Sequence, residues 1–533
     1  MERKVQIIIP MSGKGQRFID AGYKKPKPLI IVDGIPIIQH VVNLFDTHND
    51  EYIFIINKKH AIETNMKEIL SSIVNHYKII EIEEHKLGPV YAVSLIEDFI
   101  DNDKEVIVSY CDYGTKWNYK KFLQDNRNKN VDGSIACYKG FHPHMLGTDN
   151  YAFVKEENNY LIEIKEKESF TNNKMNEYAS NGTYYFKNGN IVKKYFKESL
   201  ETNNTKNGEY YVSLVYNLLV GDRLKVNIFE IEKMLQWGTP HDLETYKYWS
   251  NYFRNIIKNQ DDVCNPKGTT LIFPMAGRGS RFKEEGYKFP KPFIEINGKE
   301  MFLQAIDCLP KSDKNLIIYL KEHHNYLPDI DYDYFEIEEV TQGQACTCEL
   351  VINNKNIDLE KPIMISACDN GIYYNKEKYK ELVNDENVDV IVFSFRNNQT
   401  SKVNPNTYAW MDVDENDNIK YVSCKKFIYD DPLKTHVING TMFFRKAKYF
   451  MDGLKKNYDD NIRTNNEFYV DEVINQNIKS GLNVKVFEID YYICWGTPND
   501  LKTYFYWQDF FDKCDWHPYK KENDITYVNK EIK

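Results

Sequence analysis

The chain has 533 residues, and 69 Lys and Arg stand against 79 Asp and Glu for a formal net charge of −10. That acidic balance excludes a general nucleic-acid binder, which needs a basic face. A hydrophobic share of 42 % with 14 % aromatics excludes disordered and fibrous classes, and the length suffices for a large core without disulfide or metal staples.

The first apolar run, Val5 to Pro10, is too short for a signal-peptide core, and no later segment approaches about 18 uninterrupted apolar residues. The expectation is a cytoplasmic protein without membrane insertion. Ten scattered cysteines with no Cys-x-x-Cys pair read as reduced core thiols. In chain order the first half predicts strands at 5–10, 51–57, 77–83 and 105–110, with helices near 35–48, 60–75 and 89–100. The second half predicts strands near 270–274, 316–320, 333–338 and 362–367. Short apolar runs alternating with helical patterns imply an α/β fold with a mainly parallel sheet covered on both faces. After residues 112 and 369, several short strand-like runs predict a β-rich substrate-binding part.

The two halves repeat one another. Ile-Ile-Ile-Pro-Met-Ser-Gly-Lys-Gly-Gln-Arg-Phe near residue 10 returns as Leu-Ile-Phe-Pro-Met-Ala-Gly-Arg-Gly-Ser-Arg-Phe near residue 274. Cys111-Asp112 matches Cys368-Asp369, Asn181-Gly182-Thr183 matches Asn439-Gly440-Thr441, and Trp237-Gly238-Thr239-Pro240 matches Trp495-Gly496-Thr497-Pro498. The landmarks keep their order, so the chain reads as a duplicated domain: copy 1 at 1–258, a linker with Pro266 and Gly268 at 259–268, and copy 2 at 269–533.

Each copy runs from a buried strand directly into Gly-x-Gly-x-Arg-Phe, a turn whose backbone N–H groups can approach a phosphate closely. In the first copy Met11, Ser12, Gly13 and Gly15 form this loop, and in the second Met275, Ala276, Gly277 and Gly279. Arg17 and Arg281 follow with a planar fork suited to phosphate oxygens, and Lys27 and Lys291 sit between prolines that fix the backbone. Asp112 and Asp369 each end an apolar strand and are candidate Mg²⁺ ligands facing the phosphate loop. The Trp-Gly-Thr-Pro-x-Asp segments read first as helix N-caps. His142-Pro143-His144 reads as a loop by an acceptor pocket or plain surface rather than a metal site.

These motifs together resemble the sugar-phosphate nucleotidylyltransferases, and the resemblance covers nearly the whole chain as two consecutive members. It implies a GT-A-like Rossmann core in each copy, Mg²⁺ as cofactor, and an NTP plus a small phosphorylated metabolite as partners. By the same resemblance Gln342 and Gly343 fit the base-reading turn, with Gly88 preceded by Leu87 in the matching place of copy 1. Lys167 and Lys425 occupy the position that contacts the acceptor phosphate, while Asn181, Asn439, Glu209 and Glu467 are candidates to line the acceptor pocket. Where the family often carries a second metal carboxylate, this chain has Gln236 and Cys494. The second copy resembles a branch from capsule and surface-glycan synthesis. The expected reaction transfers NMP from an NTP, with pyrimidines CTP or UTP favoured, to a sugar phosphate or another phosphomonoester. The alternatives are a glycosyltransferase of the same fold, or one catalytic copy beside a nucleotide-sensing one; base, acceptor and oligomeric state stay open.

Overall fold

A computed structural model describes residues 4–258 and 261–528. By contacts the chain divides into two units, Met1–Lys247 and Tyr248–Lys533, so the division falls within the helix Pro240–Ile256. Of the expected linker, Asn259 and Gln260 lie outside the described residues. Part of its remainder packs into unit 2: Asn265 is buried, donates to the Pro310 carbonyl and accepts from the Tyr379 hydroxyl at 2.5 Å.

In unit 1 the strands Gln6–Met11, Glu51–Asn57 and Val106–Ser109 are rich in Ile, Val and Phe on both faces and almost wholly buried. Such runs fit a sheet sandwiched between helices, where β-branched side chains pack on both sides. The described residues form a nine-stranded sheet that begins His76–Ile82, Glu51–Asn57, Gln6–Met11 and Val106–Ser109, all parallel. It continues through Tyr178–Phe186, antiparallel to Val106–Ser109, to Gly133–Tyr138, Val226–Glu230, Tyr160–Glu166 and Ala152–Glu157. One side of the sheet is therefore a parallel α/β half and the other a mixed, β-rich half.

Unit 2 repeats the parallel half as Asp333–Ile337, Lys314–Leu320, Thr270–Met275 and Ile363–Ile365, followed by the antiparallel His436–Phe444. The eight expected strands all appear, displaced by a few residues at most. The expected helix 60–75 is two helices, Lys58–Glu63 and Met66–Ile73. At the break the Thr64 hydroxyl donates to the His60 carbonyl and accepts from Met66 N–H, so a side chain replaces the ladder there. Among the described residues no helix is long and apolar enough to cross a membrane.

Candidate active site

In parallel sheets, ligands gather where the strands end at their carboxyl edge, because helix starts and free N–H groups converge there. In unit 1 the central strand ends at Met11, Ser12 is buried behind it, and Gly13 is exposed. The Asn57 amide donates to the Ser12 carbonyl at 3.2 Å and holds the loop against the neighbouring strand. Gly15 adopts φ +70°, a left-handed conformation costly for a residue with a Cβ, and starts the short helix carrying Arg17. Unit 2 builds the same turn from Met275, Ala276, Gly277 and Gly279, with Gly279 at φ +60° before Arg281.

The proline-braced lysines meet the strand-end carboxylates. Lys27 Nζ lies 2.6 Å from Asp112 Oδ2, and Lys291 Nζ lies 2.6 Å from Asp369 Oδ2. Burial pulls the Lys27 ammonium down, but Asp112 and the adjoining Cys111 outweigh it and hold the group above its ordinary value. Lys291 is held up in the same way by Asp369. Burial pushes the Asp369 carboxyl up, and Lys291, with Arg281 adding to it, brings it below the usual range. Arg17 is exposed, makes no ion pair with any described residue, and its charge opposes that of Lys27. The structure thus gathers loop, guanidinium, ammonium and carboxylate at one edge of each sheet.

A Cβ on Gly238 would lie 3.1 Å from Asp112 Oδ2 and 3.4 Å from Gln236 Oε1, so two hard oxygens face the small space this glycine leaves. At Gly496 the same atom would meet Asp369 Oδ2 at 3.0 Å and Cys494 Sγ at 3.5 Å. The two sites therefore differ in donor chemistry, oxygen with oxygen in one and oxygen with sulfur in the other. Among the described residues no group of three or more His, Cys, Asp or Glu side chains is placed to hold a metal. Thr239 and Thr497 cap the following helices, each hydroxyl accepting an Asp N–H at 3.2 Å and donating to the same Asp carboxylate at 2.6 Å. That places Asp242 and Asp500 within electrostatic reach of Asp112 and Asp369, which the spacing alone does not disclose.

On the strands Tyr178–Phe186 and His436–Phe444, Asn181 and Asn439 are 2 % and 4 % exposed. Each side-chain oxygen accepts the N–H two residues on, at 2.9 Å and 2.8 Å, and each side-chain nitrogen has no partner. Buried amide donors are normally satisfied, so these two at matched positions are exceptions the two units share. Lys167 and Lys425 both take positive φ, +55° and +54°. Lys167 Nζ donates to the Tyr211 hydroxyl at 2.6 Å, which in turn donates to Glu209 at 3.0 Å. Burial and Glu209 push that hydroxyl above its ordinary range while Arg17 opposes them, so Tyr211 lies within electrostatic reach of the glycine-loop arginine. Lys425 instead donates to the Thr407 carbonyl and lies 5.6 Å from the Tyr469 ring centre, with the Glu467 charge acting on the same tyrosine. Tyr211 and Tyr469, two residues after the glutamates, escaped the sequence reading.

The turns at Gly88 and Gly343 differ between the units. Gly88 and Gly343 both need positive φ, +88° and +133°, and press against backbone: an added Cβ would lie 2.8 Å from Tyr210 O and 2.5 Å from Phe468 O. Beside Gly88, His85 Nδ1 accepts Leu87 N–H at 3.2 Å, so Nε2 carries the proton and donates to Ser12 Oγ at 3.3 Å. Beside Gly343, Gln342 Oε1 accepts from Arg463 at 2.8 Å. Both histidines of His142-Pro143-His144 lie inside an aromatic cluster rather than at the surface: His142 accepts Met234 N–H at 3.3 Å, and His144 is 2.9 Å from the Tyr138 hydroxyl. Burial drives the His142 imidazole down to about 4, which suits a neutral packing group.

A glycine loop, two cations and a strand-end carboxylate at the carboxyl edge of a parallel sheet suit a phosphate-bearing ligand. The model of the nucleotidyl transferase family matches residues 6–233, which lie within unit 1. Curated relatives include the bifunctional protein GlmU of Methanococcus maripaludis strain C5, 22 % identical over 249 residues, which are 46 % of this chain and 50 % of that protein. GlmU of Methanocaldococcus jannaschii is 26 % identical over 272 residues, 50 % of this chain and 59 % of that protein. The chain thus spans about half the length of the curated relatives it matches. Among solved structures, a nucleoside-diphosphate-sugar pyrophosphorylase of Vibrio cholerae RC9 is 22 % identical with a TM-score of 0.38, covering 44 % of this chain and 97 % of that one. The inositol-1-phosphate CTP transferase of T. maritima is 14 % identical with a TM-score of 0.35, covering 45 % and 91 %.

Proposed function

We propose that each unit transfers a nucleotidyl group from an NTP, with pyrimidines favoured, to a sugar phosphate or another small phosphomonoester, releasing pyrophosphate. The observation that carries this reading is the repeated 2.6 Å lysine–aspartate pair beside a glycine turn. The match of the nucleotidyl transferase family model to residues 6–233 supports the same reaction class.

In the reaction an acceptor phosphate oxygen attacks the α-phosphorus in line, the bond from that phosphorus to the bridging oxygen of the β-phosphate breaks, and pyrophosphate leaves with its electrons. The nucleophile is already anionic at neutral pH, so no side chain has to remove a proton. The protein must hold mutually repelling phosphates in line and offset their charge. The N–H groups of Gly13–Gly15 and Gly277–Gly279 face the triphosphate, Arg17 and Arg281 offset the departing pyrophosphate, and Lys27 and Lys291 follow the charge on the α-phosphate. Lys167 and Lys425 receive the acceptor phosphate, and the orphan amides of Asn181 and Asn439 donate to the acceptor.

A divalent ion fits unit 1 better than unit 2. Asp112 and the Gln236 amide oxygen would hold Mg²⁺ together with substrate phosphates, whereas Cys494 offers a soft sulfur that Mg²⁺ disfavours. The ion, when bound, supplies charge neutralisation across the phosphates. The products are nucleotide-activated building blocks of the kind that surface-glycan assembly consumes. A matrix of NTPs against phosphorylated metabolites, read by pyrophosphate release with Lys27→Ala, Lys291→Ala and the double variant, tests the reading. Near-full turnover by the double variant would sink it.

A further inference from the structure

Gln342 sits just before Gly343, which starts the helix Gln344–Asn354. The strand Asp333–Ile337 feeds this turn, and it runs parallel to Lys314–Leu320, which runs parallel to Thr270–Met275. The turn and the phosphate loop therefore leave the same carboxyl edge of one sheet. Gln342 is exposed there, while its backbone carbonyl accepts Phe468 N–H at 2.9 Å and Ala345 N–H donates to Phe468 O at 3.1 Å.

Arg463 is anchored on every side of its fork. Its Nε donates to Asn461 Oδ1 at 3.0 Å, Nη1 to the Asn466 carbonyl at 3.1 Å, and Nη2 to Gln342 Oε1 at 2.8 Å. The guanidinium also lies over the Phe468 ring at 4.0 Å, the ring whose backbone clamps the Gln342 turn. Arginine has donors and no acceptor, so the atom facing it must be the amide oxygen. A free glutamine reads a base edge in either sense by turning over. This one cannot, because turning over would set its NH₂ against a guanidinium.

We propose that Arg463 is a positioning residue that makes Gln342 a donor-only reader, so that unit 2 selects an NTP whose base offers a carbonyl oxygen, rather than an exocyclic amino group, at that edge. The inference rests on the reading of this site as the nucleotide site and goes further by naming the class of base. UTP is then preferred over CTP, which differs from it at the 4-oxo against the 4-amino group. Unit 1 lacks both members of the device, with Leu87 and Thr205 at the corresponding positions, and so lacks this selection.

The test uses the full chain carrying Lys27→Ala, so that pyrophosphate release reports unit 2. Equilibrium binding of UTP and CTP is measured alongside, and unit 2 is read from the change that Arg463→Ala and Gln342→Glu make, since unit 1 is the same in every variant. The expected parent preference for UTP is about tenfold or more, the discrimination of one well-made base contact. Arg463→Ala is expected to bring the UTP-to-CTP ratio of kcat/KM toward one, chiefly by raising KM for UTP, and Arg463→Lys to restore part of the preference. Gln342→Glu is the decisive variant. One carboxylate oxygen stays on Arg463 and the other offers an acceptor, so the preference is expected to turn toward CTP, a result that a merely structural arginine does not produce. A parent that binds both nucleotides alike or prefers CTP, an Arg463→Ala ratio within twofold of the parent, or a Gln342→Glu variant still favouring UTP overturns the inference alone. Binding of no nucleotide by unit 2 overturns the nucleotide-site reading and the inference with it.

Discussion

The glycine turns and lysine–aspartate pairs of units 1 and 2 agree, and the turns at Gly88 and Gly343 do not. Both units set a lysine 2.6 Å from a strand-end aspartate beyond a glycine turn. At the base turn, unit 1 uses His85 to tie Ser12 to Leu87, and unit 2 uses Arg463 to hold Gln342. Every NTP carries the same triphosphate, so its chemistry leaves little room for variation. On the proposed function the base and the acceptor vary between substrates, and the groups assigned to them vary between the units.

The largest effect is expected where the units agree. Lys27→Ala and Lys291→Ala should each lower the turnover of their own unit by about 10²–10³-fold, the usual loss when a charge contact to the transition state is removed. Single-unit pyrophosphate assays that find one lysine dispensable would break the equivalence.

A second effect should separate the acceptor sides. In unit 2 burial raises the Asp471 carboxyl to about 6, against Lys425, which lowers it. Ser213 holds the corresponding position in unit 1 and donates to the buried Glu166 at 2.5 Å. A folded pKa above the unfolded one gives stability that is complete below about pH 4 and is lost as pH rises through 6. A shift of about two units corresponds to roughly 3 kcal/mol. Denaturant unfolding at pH 4.5 and 7 should show Asp471→Asn more stable than the parent at pH 7 and less dependent on pH. An unchanged pH profile would remove Asp471 as its source.

The base-side glycines come next. Gly343→Ala forces φ +133° on a residue with a Cβ and drives that atom to 2.5 Å from Phe468 O. A cost of about 2 kcal/mol or more is expected in thermal unfolding, and somewhat less for Gly88→Ala, where the nearest atom is at 2.8 Å. Equal, small losses at both sites would show that the turns relax freely. The smallest effect belongs to the caps: Thr239→Ala and Thr497→Ala should each cost about 1 kcal/mol, alike in the two units, since the hydrogen bonds match in length.

Much of this was legible before any coordinates. Two-faced apolar runs such as Gln6–Met11 and Glu51–Asn57 announce buried parallel strands, and Gly13-x-Gly15-x-Arg17 announces the turn, because both are local patterns with a local cause. The helix break at Thr64 was missed because a hydroxyl competing for a backbone carbonyl leaves no trace in hydrophobic periodicity. The aromatic burial of His142 and His144 was missed because their partners Tyr138, Tyr151 and Met234 meet them only through the fold.

By itself, then, the order of residues determined the repeated landmarks, the glycine turns, the cations and carboxylates, and the threonine caps, all written within short stretches of chain. Tertiary structure decided which charges pair, Lys27 with Asp112 across 85 residues and Lys291 with Asp369 across 78, and that Arg463 reaches Gln342 across 121. It also decided that the amides of Asn181 and Asn439 are buried without partners. Strand order and register set such distances, and no local pattern encodes them.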